Sequence, residues 1–188
     1  MFGSGPIAWT PASAPGPLRK VSVSNDVTKA NFREFNNLLA EFTTAVEAGD
    51  GTRLAGLFTE DGVYHDTFYG EFQGRAAIKD MLERRFWGDA KAFKWETYDA
   101  ACVGDLGYCC WNFSYTSAQQ GSAGRRVVAE GMSRFRLRAG LIAHYSEKLD
   151  SGMALVQLDF APERLAKLQR RWNEALRGKS ALQAHFRG

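Results

Sequence analysis

The chain has 188 residues, of which 45% are hydrophobic and 24% charged, and this composition is ordinary for one globular domain with extensions. Its three cysteines form no CxxC pair and its three histidines are scattered, which excludes a disulfide framework and a zinc ribbon and predicts no metal site and no cofactor. The net charge of +3 is uneven, because residues 163–188 carry +5 and the rest carry −2, so a general nucleic-acid-binding surface is not expected.

The first half of the chain predicts an extended arm followed by helices. Residues 1–25 contain four of the five prolines, which argues against a packed helix there. From Phe32 to Val46, large apolar residues recur at steps of three and four, which predicts an amphipathic helix over 26–49. The later elements predicted in this half are a short helix after Asp50, a turn over 59–62, a strand over 63–68, a turn over 70–74 and a helix over 75–86.

After Gly88 the pattern changes to long strands joined by short glycine-containing turns, which is typical of an antiparallel meander. Helices gathered at one end of the chain and strands at the other predict an α+β fold, with helices packed on one face of a curved antiparallel sheet. We divide the chain into an arm (1–25), an α+β domain (26–160) and a C-terminal basic helix with a tail (161–188). The predicted strands cover 92–103, 108–118, 125–138 and 141–149, and the last predicted helix covers 162–176.

Three segments together resemble a known family. The runs Leu57-Phe-Thr-Glu-Asp-Gly-Val-Tyr-His-Asp66 and Phe72-Gln-Gly-Arg-Ala-Ala-Ile78 resemble the SnoaL-like branch of the nuclear transport factor 2-like superfamily, and 134–147 resembles the last hairpin of that branch. The resemblance covers about 26–158 and implies a cone-shaped barrel with a central cavity, and often a dimer. It implies no single reaction, because this fold hosts isomerases, cyclases, dehydratases, epoxide hydrolases, lyases and binding proteins.

Asp66 and His65 are the first catalytic candidates. Relatives that resemble ketosteroid isomerase carry a general-base Asp at the place of Asp66, so the resemblance implies that role. Desolvation beside an apolar cavity can raise the pKa of a carboxylate, and the imidazole of His65 titrates near neutral pH. On a regular strand the two side chains point to opposite faces, so we expect only one of them in the cavity. The structural alternative is that Asp66 caps the following turn and His65 is exposed.

Tyr145 and Glu147 are the second pair of catalytic candidates. In SnoaL-like cyclases an Asp near the place of Glu147 is the proposed acid or base, so the resemblance implies that role for Glu147. Tyr145 lies two residues earlier and hence on the same strand face, where its hydroxyl can assist a carboxylate or an oxyanion. The alternative is a surface Glu147 paired with Lys148 or an arginine. A one-residue change of register would bring His144 into the cavity instead.

Aromatic residues provide the substrate-binding candidates. The chain has 13 Phe, 6 Tyr and 5 Trp, and most of them are expected in the core. A minority on the concave face could stack against a flat ligand. Arg134 could pair with Glu130 across the cavity, or face solvent as on an ordinary sheet exterior. The substrate-binding candidates are Tyr64, Tyr69, Trp87, Trp111, Phe113 and Arg134.

These residues predict a cofactor-independent acid/base enzyme, a lyase or isomerase that acts on a bulky aromatic or polycyclic small molecule by elimination, dehydration or retro-aldol cleavage. The alternative is a non-catalytic binding or dimerisation module of the same fold. A steroid isomerase mechanism is not expected, because Phe42 stands where such enzymes carry a tyrosine. No GxGxxG, P-loop or GxSxG motif is present. We expect a homodimer or higher homo-oligomer in the cytoplasm, bound neither to nucleic acid nor to a membrane.

Overall fold

The structure is a computed structural model that describes the backbone of residues 25–187 and the side chains of 31–187. The predicted arm therefore lies outside the described residues, apart from Asn25, where the first helix begins. Across 25–187, no helix has the length and hydropathy that crossing a bilayer requires.

Within residues 25–187 the predicted helices are present, with one change of helix type and three additional short helical segments. Asp50 caps the second helix, because its carboxylate accepts a hydrogen bond from the Arg53 backbone N–H at 2.8 Å. The helix predicted over 75–86 changes to π-helical hydrogen bonding at Met81. The helical segments are α1 (Asn25–Ala48), α2 (Gly51–Gly56), α3 (Arg75–Asp80), a π-helical segment (Met81–Phe86), α4 (Trp87–Asp89), α5 (Ser151–Gln157), α6 (Pro162–Arg177) and a 3-10 segment (Ser180–Phe186).

In the described part of the chain six strands form one sheet, and two of these strands differ from the prediction. Residues 59–62, which we predicted as a turn, belong to the first strand. The pairing of this strand shifts register between Phe58 and Val63, so the strand continues through an irregularity at these residues. Residues 70–73, also predicted as a turn, form a short edge strand. The strands are β1 (Phe58–Asp66), β2 (Gly70–Gln73), β3 (Ala90–Val103), β4 (Leu106–Ser117), β5 (Arg126–Arg138) and β6 (Leu141–Leu149).

The strand order is β2-β1-β6-β5-β4-β3, and the sheet is mixed. The antiparallel meander is confirmed for β3 to β6, but β1 runs parallel to β6. A tight turn forces antiparallel pairing, whereas β1 and β6 are separated by most of the domain, so no local signal sets their direction. This parallel contact places the end of β1 beside the second half of β6.

One face of the sheet, which we call the inner face, packs against the helices. The Phe42 ring of α1 lies at the centre of this core, stacked on Tyr64 with a centroid distance of 6.0 Å. The same ring contacts Trp95, Phe135 and Tyr145, so that α1 holds β1, β3, β5 and β6 together. The opposite, outer face carries more exposed side chains, among them Val128 and Met132.

Candidate active site

A cavity of about 190 Å³ lies on the inner face of the sheet. It is bounded by the strands, by the π-helical segment and by α5, which contributes Ala154. Phe68 and Tyr69 line the cavity and are also partly exposed, so it opens beside the turn that follows β1. Nearly half of the lining residues are aromatic, and those rings include Phe86, Phe93, Trp95, Trp111, Phe113 and Tyr115.

Asp66 is a buried carboxylate at the end of β1, and it lines the cavity. It is 4% exposed, and its Oδ1 accepts hydrogen bonds from the backbone N–H groups of Phe68 and Tyr69, both at 2.7 Å. Burial raises the pKa of Asp66 from 3.8 to about 6, although the two hydrogen bonds oppose that rise. Asp66 therefore caps the turn and also presents a carboxylate to the cavity.

Glu147 is the second carboxylate that lines the cavity, and it projects from β6. Its Oε2 accepts a hydrogen bond from the Tyr145 hydroxyl at 2.7 Å, and its Oε1 accepts one from the Thr67 N–H at 3.3 Å. Burial, and next the negative charge of Asp66, raise the pKa of Glu147 from 4.5 to about 8. The two carboxylates thus share one cavity and favour different protonation states near neutral pH.

A chain of hydrogen bonds leads from the core to Glu147. The Trp111 indole N–H donates to the Ser133 hydroxyl at 2.8 Å, and Ser133 donates to the Tyr145 hydroxyl at 2.9 Å. Since an indole N–H can only donate, it directs each hydroxyl in turn to donate towards Glu147. Tyr145 is fully buried and is not part of the cavity lining, so it contacts Glu147 rather than the cavity itself.

A second polar pair in the cavity was not predicted as a pair. The Tyr69 hydroxyl donates to Asp89 Oδ2 at 2.6 Å, and both residues line the cavity. Burial, assisted by the Asp89 carboxylate, raises the pKa of Tyr69. Asp89 follows Gly88 at the junction of helix and strand, and no motif marks it. Tyr115, also missed, lines the cavity with a pKa that burial raises to about 12.

Besides Tyr145, three predicted site residues do not line the cavity. His65 alternates with Asp66 along β1 and lies on the outer face, where its Nδ1 is 3.5 Å from Glu71 Oε1. The indole N–H of Trp87 donates to the Val46 carbonyl at 3.0 Å, which holds the ring over the end of α1. Arg134 alternates with the inward-facing Ser133 on β5 and is therefore on the outer face as well.

The register of β6 places Tyr145 and Glu147, not His144, on the inner face. The pairing of β5 with β6 shifts between Arg136 and Leu137, which leaves one extra residue in β6 before His144. Ile142 and Tyr145 are consequently both fully buried, although three positions separate them. Beyond this irregularity, strict alternation points Glu147 inward and His144 outward.

Gly131 accommodates the ring of Trp111, and its replacement tests this packing. A Cβ atom at position 131 would lie 2.4 Å from Trp111 Cζ2 and 2.6 Å from the Lys148 carbonyl oxygen. We expect Gly131→Ala to destabilise the protein by about 1–3 kcal/mol, measured by chemical denaturation. Gly56→Ala is the matched control, because nothing lies within 4 Å of that position. Equal stability of the two variants would contradict the tight packing of Trp111.

A family model described as a SnoaL-like domain matches residues 39–145, which is more than half of the chain. The chain belongs to the SnoaL-like domain family. The resemblance stated from the sequence is thereby confirmed, and the matched region contains the cavity residues Asp66 and Asp89 as well as Tyr145. Glu147 lies just beyond it. No curated protein matches the chain at a significant level.

Solved structures share the fold at low sequence identity. A Catenulispora acidiphila protein with a ketosteroid isomerase-like fold, in complex with trimethylamine, is 18% identical over 66% of this chain and 97% of its own, with a TM-score of 0.59. IdmH, a putative polyketide cyclase from Streptomyces antibioticus, is 20% identical over 66% and 98%, with a TM-score of 0.55. An LEH-like epoxide hydrolase from Mycobacterium tuberculosis is 16% identical over 74% and 98%, with a TM-score of 0.57. These likenesses confirm the predicted ketosteroid isomerase-like, or NTF2-like, fold.

Proposed function

We propose that this SnoaL-like protein is a cofactor-independent acid/base enzyme, a lyase or isomerase, with Asp66 and Glu147 as its catalytic residues. The observation that carries the proposal is that two carboxylates line one aromatic cavity and have raised pKa values of about 6 and about 8. Perturbed carboxylates in a cleft are typical of catalytic sites. The named neighbours, a putative polyketide cyclase and an epoxide hydrolase-like protein, are compatible with such chemistry.

The two carboxylates are assigned opposite roles. Between the two pKa values Asp66 is ionised, so its carboxylate accepts a proton from a substrate carbon. Glu147 keeps its proton in the same range and donates it to the oxygen that leaves or becomes negative. In an elimination, Asp66 accepts the proton as the substrate C–H bond breaks. The C–O bond breaks at the same time, a C=C bond forms, and Glu147 donates its proton to the leaving oxygen. Tyr145 is a positioning residue, since its hydroxyl hydrogen-bonds Glu147 at 2.7 Å.

The aromatic lining supports an aromatic substrate, and the cavity volume limits how much of that substrate the cavity can enclose. Trp95 and Phe113 are 4.7 Å apart between ring centroids, and Phe93 stacks on Phe113 at 5.8 Å, so these rings present flat apolar surfaces to the cavity. A cavity of about 150 Å³ is known to hold benzene. The 190 Å³ cavity of this protein therefore suits one substituted ring. A larger, polycyclic substrate would extend out past Phe68 and Tyr69.

We also propose that the protein is a cytoplasmic homo-oligomer. The outer face of the sheet exposes apolar side chains, with Val128 exposed by 55% and Met132 by 50%, and such a patch favours association. The cysteines at 102, 109 and 110 are all free, as is usual in a reducing compartment.

Proton exchange at carbon tests the proposed activity. The wild-type protein is incubated in D₂O with a panel of single-ring aromatic ketones and β-hydroxy ketones, and NMR follows deuterium incorporation and product formation. We expect a bell-shaped pH profile, because Asp66 must lose its proton at a pKa of about 6 and Glu147 must retain its proton below a pKa of about 8. Compounds that bind in the cavity without exchange or turnover at any pH would favour the binding module instead.

A further inference from the structure

A cluster of potential metal ligands lies on the outer face of the sheet, away from the cavity. It comprises His65 on β1, Glu71 on β2 and His144 on β6, and one ligand atom from each lies within 4.8 Å of the other two. His65 Nδ1 lies 3.5 Å from Glu71 Oε1. The catalytic role considered for His65 and His144 from the sequence is not available to them on this face.

The sheet register brings these three residues together. His65 and Glu71 are direct partners in the antiparallel pairing of β1 with β2. In the parallel pairing of β1 with β6, His144 lies opposite Val63, the residue two positions before His65 on the same strand face. Backbone hydrogen bonds along three adjacent strands therefore hold the positions of all three ligands without any contribution from a mobile loop.

The Nδ1 atom of His144 lacks a hydrogen-bond partner. It is buried, and none of the described residues forms a hydrogen bond with it. A buried polar atom of this kind is costly unless something outside the chain satisfies it. A metal ion or its bound water is such a group.

We propose that His65, Glu71 and His144 bind a divalent transition-metal ion. Two imidazoles and one carboxylate are a ligand set that zinc accepts and that magnesium and calcium, which prefer oxygen ligands, do not favour. Ligand atoms around a tetrahedral zinc ion lie about 3.4 Å apart, which is close to the distance between His65 and Glu71. Three protein ligands leave a coordination position for water.

Nearby positive charge limits the affinity of the site. Arg136 is the register partner of His144 on β5, and Arg134 lies on the same outer face. Their guanidinium groups repel a cation, so we expect zinc to bind more weakly than in a closed four-ligand structural site. The bound ion would connect the edge strand β2 to β1 and β6, and it would stabilise that side of the sheet.

Zinc titration of the full chain tests the site. The protein is freed of metal with a chelator, titrated with ZnCl₂ in a calorimeter, and melted with and without zinc or MgCl₂. We expect saturable binding of one zinc ion per chain, a higher Tm with zinc, and no rise with magnesium. His144→Gln and Glu71→Gln should each weaken zinc binding by roughly tenfold or more.

Two control variants separate this site from other zinc ligands. His185→Gln removes the remaining histidine, in the 3-10 segment, and Cys110→Ser removes a partly exposed thiol; both should bind zinc like the wild type. Circular dichroism of the metal-free variants checks their folding. The site is wrong if zinc fails to bind saturably, if His144→Gln and Glu71→Gln both bind like the folded wild type, or if either control abolishes binding.

Discussion

Asp66→Asn and Glu147→Gln should each lower turnover by about 10²- to 10⁴-fold, the usual contribution of a positioned general acid or base. Both substitutions keep the size of the side chain and remove its ability to exchange a proton. Substrate affinity should change much less, because the aromatic lining remains intact. Steady-state kinetics on any compound that passes the deuterium-exchange screen measures the effect.

Glu130→Gln is the matched control for these two variants. Glu130 is an exposed carboxylate on β5 that alternates with the inward-facing Ala129, so it lies on the outer face. Its replacement should leave turnover unchanged. If Asp66→Asn and Glu147→Gln both retain wild-type turnover, the acid/base assignment is wrong. Loss of turnover with retained ligand binding in calorimetry is the result that the proposal requires.

Glu147→Gln should also make the protein more stable relative to the wild type at alkaline pH. The pKa of Glu147 is raised from 4.5 to about 8 in the folded state, so the folded protein holds this proton more tightly than the unfolded chain. The stability contributed by the protonated form is fully present below about pH 4.5 and is lost as the pH rises to about 8. Asp66 adds a smaller loss of the same sign between pH 3.8 and about 6.

Chemical denaturation at pH 5, 7 and 9 measures this effect. The difference in unfolding free energy between Glu147→Gln and the wild type should grow from pH 5 to pH 9, by an amount on the order of a few kcal/mol. Glu130→Gln should follow the wild-type pH dependence. If the unfolding free energies of the wild type and Glu147→Gln change identically with pH, burial does not raise the pKa of Glu147.

Glu147→Gln is expected to lower turnover but to raise stability at alkaline pH, and these opposite effects distinguish a catalytic role from a structural one. If Glu147 were retained only for structure, its replacement would lower the stability of the protein, because the hydrogen bonds with Tyr145 and Thr67 would weaken. A carboxylate retained for chemistry lowers stability at alkaline pH, where it has lost its proton and its charge is costly to bury. Loss of activity together with a gain of stability therefore assigns Glu147 to function.

Residue patterns within single elements predicted much of the fold. The apolar spacing over 26–49 predicted the helix that now places Phe42 in the core, and the long strands from Ala90 to Leu149 were predicted within a few residues. Strand alternation alone also placed Tyr145 and Glu147 on one face and separated His65 from Asp66. These features depend on backbone geometry over a few neighbouring residues, which the local sequence encodes.

Contacts between distant segments were decided only by the tertiary structure. The parallel pairing of β1 with β6 brings Asp66 near Glu147, and the raised pKa of Glu147 follows partly from that meeting. The pairing of Tyr69 with Asp89 and the approach of His65 to His144 likewise join residues far apart in the chain. Local periodicity carries no information on which distant strands meet or in which direction. By itself the sequence determined most of the elements and the family, whereas tertiary packing decided which charged groups share a cavity and how strongly burial shifts their pKa values.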